Sequence, residues 1–191
     1  MKLRLRCPEP MKTRYFSTFQ LVLLALFAAL VVVAKIGLRL PLQMPGHSGI
    51  FWMAIVVVGA GIVNKRGAAS LIGVTSGILA TFLGMGDFGA INTFLSYAIV
   101  GVGTDLALLI LPDLEQPVTA TVAAAIGHMG KFLVKWLFGV VTGAPIGFLA
   151  LGLLWAMLGY IVFGGLGGLL GSLTLKALRK AGFFVYMAEK R

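Results

Sequence analysis

Long apolar runs follow one another along almost the whole chain, separated only by short breaks marked by Gly, Pro, Lys or Arg. This succession constrains the fold more than any motif. Backbone N–H and C=O groups in hydrocarbon must be satisfied within their own segment, so runs of this length are predicted to be membrane-crossing α-helices. With 59% of residues apolar and 12% charged, an ordinary water-soluble domain is excluded. An all-α, polytopic membrane protein is the fold class that remains.

Six spans are predicted. The first covers residues 16–34, ahead of Lys35 and Arg39, and Pro41 and Pro45 then forbid regular helix. The second covers residues 49–63 and stops at Asn64-Lys65-Arg66-Gly67. The third covers residues 68–83, ending where Gly84, Gly86, Asp87 and Gly89 mark a loop. The fourth covers residues 90–111, and a polar turn between Pro112 and Pro117 leads into the fifth, residues 118–141. After a break at Gly143 and Pro145, the sixth covers residues 146–175. It exceeds the roughly 20 residues that a perpendicular crossing requires, which predicts a tilt or a projection into the cytoplasm. The domain organisation is thus a basic arm at residues 1–15, one six-helix transmembrane domain at residues 16–175 and a basic tail at residues 176–191.

Lys and Arg set the orientation. With the amino terminus inside, Lys2, Arg4, Arg6, Lys12, Arg14, Lys65, Arg66, Lys176, Arg179, Lys180, Lys190 and Arg191 all fall on the cytoplasmic side, and only Lys35 and Arg39 lie outside. Both termini are therefore expected in the cytoplasm. The net charge of +10 is explained by this topology and does not call for nucleic acid. Cys7 is the only cysteine, which excludes an intramolecular disulfide and a CxxC metal or redox motif. No apolar stretch precedes it, so the arm does not read as a cleavable signal. A start at Met11 would leave every span intact.

Three ionisable residues lie inside the fifth span. His128, Lys131 and Lys135 occur at i, i+3 and i+7 and share one helical face. Each costs about 2.5 to 3.5 kcal/mol in hydrocarbon on insertion scales, so such groups face a cavity or a partner. On the fourth span Asn92 and Ser96 form one i, i+4 pair and Thr93 and Tyr97 another, at a matching outer depth. Two polar faces meeting there would form a binding pocket. Trp155 and Tyr160 offer an aromatic wall on the sixth span, and His47 and Asp87 stand in the outer loops. The competing reading has Lys131 and Lys135 snorkelling outward, the hydroxyls bonded to their own helix and the aromatics simply packed. Asp105, about two turns from the cytoplasmic end of its span, is expected to pair with Lys65 or Arg66. Small-residue pairs recur as Ala25-x-x-x-Ala29, Gly73-x-x-x-Gly77, Gly164-x-x-x-Gly168 and Gly167-x-x-x-Gly171, and each permits close helix approach.

The Ala25-x-x-x-Ala29 span, the irregular loop around residues 40–48 and the Asn64-Lys65-Arg66-Gly67-Ala68-Ala69 lead into a Gly-rich third span resemble the substrate-binding S components of energy-coupling factor (ECF) transporters. The resemblance extends over residues 16–180. From Lys65 through Gly86-Asp87 to Gly101-Val102-Gly103-Thr104-Asp105 the layout is similar to the thiamine-precursor branch, from which this chain differs in having no acidic residue in the third span. Nor does it begin with the Met-His pair of nickel and cobalt S components. The resemblance implies a multi-pass subunit of a prokaryotic cytoplasmic membrane that captures a vitamin-like small molecule from outside, with no cofactor and no enzymatic activity. It further implies docking through Ala25 and Ala29 onto a membrane T component that works with two cytoplasmic ATPases. A stand-alone carrier or channel is the alternative. A membrane enzyme is the more distant one, because the acids Glu9, Asp87, Asp105, Asp113, Glu115 and Glu189 are scattered.

Overall fold

The computed structural model describes residues 15–38, 44–86, 88–143, 145 and 152–183. Six helices and no strand occur among them: α1 (Thr18–Gly37), α2 (Gly49–Val63), α3 (Ala68–Phe82), α4 (Gly89–Ile110), α5 (Pro117–Val141) and α6 (Leu153–Lys180). Local chemistry explains most of the boundaries. Ser17 caps α1 through a reciprocal pair with Gln20, each side chain bonding the other's backbone N–H. Asn64 ends α2 in the left-handed region, φ 48°, with its N–H on the Ala60 carbonyl, and Asn is among the few non-Gly residues that adopt this conformation readily. Pro117 opens α5, where its missing N–H costs no helical bond.

The end of the sixth span needs correction. α6 continues past residue 175 to Lys180 because Arg179 and Lys180 complement the carbonyl end of the helix and Arg179 pairs with Glu115 of the turn between α4 and α5. The first part of the sixth expected span, residues 146–151, lies outside the described residues. α1, α4, α5 and α6 are long and apolar enough to cross a membrane, whereas α2 and α3 are apolar but have 15 residues each. At 1.5 Å per residue, 15 residues extend about 22 Å, short of a ~30 Å hydrocarbon core.

Packing shows how α2 is accommodated. α3 lies on α4, α4 on α5, α5 on α6 and α6 on α2, while α1 covers α2 and α3. α2 also touches α5. It buries Trp52, Met53, Val56, Val57 and Ala60 on nearly all sides, as expected of a helix that is apolar all round. The outward faces remain apolar, with Leu26, Leu30, Val33, Leu106, Leu109, Leu133 and Leu137 all exposed. Apolar surface on this scale suits lipid as the solvent.

The glycine motifs pack inside the bundle. A Cβ on Gly73 would sit 2.7 Å from the Tyr97 carbonyl oxygen and 3.0 Å from the Gly101 Cα, so α3 and α4 meet backbone to backbone. On α6 the two interleaved motifs serve different neighbours: Gly164 and Gly168 abut His128 and Ala120 of α5, and Gly167 and Gly171 abut Met53 and Val57 of α2. By contrast, Ala25 is exposed and Ala29 half-buried on the outer face of α1.

The Asp105 expectation is also corrected. Its carboxylate accepts the backbone N–H of Ser70 at 2.7 Å, in the first turn of α3, where helical N–H groups lack partners of their own. Lys65 instead donates to the Tyr15 carbonyl oxygen at 2.6 Å and lies 5.8 Å from the Phe16 ring. A carboxylate gains more from a helix N-terminus held by packing than from a lysine half in water.

Candidate functional site

At the end of the bundle formed by the C-terminus of α1, the N-termini of α2 and α4 and the upper part of α5, a cavity of about 310 Å³ opens. One wall is cationic. Lys131 and Lys135 stand one turn apart on α5, and Lys35 joins them from α1. The other wall is neutral and polar, with Asn92, Thr93, Ser96 and Tyr97 from α4. His47, Ser48, Met85 and Gly86 form the rim.

Lys131 is the most constrained of these groups. It is 4% exposed, and its Nζ lies 4.5 Å from the Trp52 ring centroid and 4.6 Å from that of Tyr97. Two aromatic faces thus hold a buried ammonium by their quadrupoles, an interaction that grows as water is excluded. Snorkelling to a distant surface does not describe this side chain. On the facing wall the Ser96 hydroxyl donates to Asn92 Oδ1 at 3.2 Å, and Thr93 Oγ1 donates to the Gly89 carbonyl oxygen at 2.9 Å. Thr93 therefore behaves as the competing reading expected, bonding to its own helix. His47 is tied to its loop, with Nδ1 2.7 Å from the Met44 carbonyl oxygen.

The sequence-derived set is partly gathered here. His47, Asn92, Ser96, Tyr97, Lys131 and Lys135 all line the cavity. His128 does not. It is 1% exposed behind the wall, its Nδ1 2.9 Å from the Tyr160 carbonyl oxygen and its ring edge-on to Trp52 at 5.1 Å. Trp155 is 55% exposed in the first turn of α6 and forms no part of the cavity, whereas Tyr160 packs on His128 and Phe132. Asp87 lies outside the described residues. Sequence reasoning missed Lys35 as a lining residue and Trp52 as the ring beneath Lys131. Lys35 did carry a signal: a basic residue at the outer end of a span, level with Lys135. Among the described residues no group of three His, Cys, Asp or Glu could hold a metal ion.

No family model matches the sequence, and no curated protein matches it. A solved structure of an S component of an ECF transporter superposes with a TM-score of 0.58 at 19% identity, covering 87% of this chain and 85% of that one. The chain has the fold of an S component. The S-component fold thus extends over most of both chains.

Proposed function

We propose that this chain is the substrate-binding subunit of an ECF-type importer, capturing a vitamin-like small molecule from the outer side of a prokaryotic cytoplasmic membrane. The observation that carries the reading is the polar, cation-walled cavity at one end of a bundle whose outer faces are otherwise apolar. In a membrane protein, buried lysines and amides at a cavity serve a ligand more readily than they serve stability. Lys131, Lys135, Asn92, Ser96, Tyr97 and His47 are the binding residues of this proposal, with Lys35 added. Asp87 stays in the set by its place beside Gly86. The cavity end faces outward, and the end bearing Lys65, Arg66, Lys176, Arg179 and Lys180 faces the cytoplasm.

Recognition alone is assigned to this chain, and no catalytic role. A membrane T component would dock on the lipid-facing side of α1, where the small Ala25 and Ala29 lie among the exposed Val22, Leu26 and Val33, and two ATPases would drive import. Co-expression with a T component and ATPase pair, followed by purification on a tag carried by this chain, tests the proposal. A complex that supports ATP-dependent uptake in lipid vesicles is the expected result. Uptake by this chain alone would replace the proposal with a stand-alone carrier.

A further inference from the structure

Building on the importer reading, we infer that the cavity is selective for a small organic anion, bearing a carboxylate or phosphate group, over a neutral or cationic molecule. Three lysines from two helices line a space of about 310 Å³, at the small end of the range for ligand sites. Lys131 and Lys135, at i and i+4, have Cβ atoms about 6 Å apart and can converge on one anionic group. Lys35 reaches the same space from α1.

The balance of charge is robust. Of the chain's six acids, Asp105, Asp113 and Glu115 belong to the opposite end of the bundle, and Glu9 and Glu189 lie outside the described residues. Asp87 neighbours Gly86 of the rim; counted in full against the three lysines, it still leaves the cavity with two positive charges. The facing wall adds an amide and hydroxyls from Asn92, Ser96 and Tyr97, which suit the neutral polar part of the same molecule. A permanent cation would meet Lys131, already held between two rings, and would be repelled by all three ammonium groups in a setting of reduced dielectric.

The test is calorimetric titration of the full chain in detergent with matched probes: nicotinate against nicotinamide, pantothenate against panthenol, pyridoxine phosphate against pyridoxine, and thiamine as a cation. The expected result is that an anionic member binds about ten-fold or more tightly than its neutral counterpart. That preference should shrink in Lys131→Met and in Lys135→Gln, and Lys35→Gln serves as a variant at the mouth, away from the packed interior. Any small molecule extracted from the purified chain should carry net negative charge at neutral pH. Equal or tighter binding of neutral members or thiamine, no anionic probe bound, or a neutral or cationic extracted molecule would overturn the inference. Assembly with the T component and ATPases is read separately, so the importer proposal stands or falls independently.

Discussion

The ammonium of Lys131 and the imidazole of His128 lie one turn apart on α5 yet have different work, and the difference is geometric. Lys131 reaches the cavity between the rings of Trp52 and Tyr97, whereas His128 turns toward α6 and bonds the Tyr160 carbonyl oxygen. Replacing His128 with Ala should therefore act on stability. Loss of a buried hydrogen bond and of ring packing costs about 1 to 3 kcal/mol, visible as a lower melting midpoint in detergent, with ligand affinity changed less than in Lys131→Met. An affinity loss in His128→Ala equal to that in Lys131→Met, without a shift in melting, would return His128 to the cavity wall. Helical periodicity made Asn92, Ser96, Tyr97, Lys131 and Lys135 legible in the sequence because the two polar faces run along single helices. It could not reveal that Trp52 of α2 lies beneath Lys131, a contact between residues far apart in the chain, nor that the shared face of α5 divides between cavity and α6.

The helices themselves were more legible than their neighbours. Asn64, Gly67, Pro112 and Pro117 punctuate the chain strongly enough that the limits of α2 to α5 match the sequence reading within about one residue. α6 runs past residue 175 because Lys and Arg at a helix C-terminus support the helix and do not end it. Asp105, expected to pair with Lys65 or Arg66, instead accepts the open Ser70 N–H of α3. Asp105→Ala should thus destabilise α3 by about 1 to 2 kcal/mol, with faster amide exchange at residues 68–71; unchanged exchange there would contradict the capping role. At the surface of α1, enlarging Ala25 and Ala29 together to Leu should abolish capture of a T component while ligand binding by the isolated chain persists. Equal loss of both would mean that these alanines support the bundle.

For the whole molecule, the arrangement of charge is what gives the proposed capture its direction. The cavity end and the Lys/Arg-rich end lie at opposite ends of the bundle. In a variant with Cys7 replaced by Ala, a cysteine at Thr142 should react with an impermeant thiol reagent from outside intact cells and one at Gln116 should not; the reverse pattern would invert the orientation. The cavity around Lys131 is proposed to hold the molecule this chain recognises. Its most direct test is native mass spectrometry of the intact chain released from detergent, wild type beside Lys131→Met. A small molecule should be retained by the wild type and largely lost from Lys131→Met, with helical content unchanged by circular dichroism. The same molecule retained to the same extent by both proteins would contradict it.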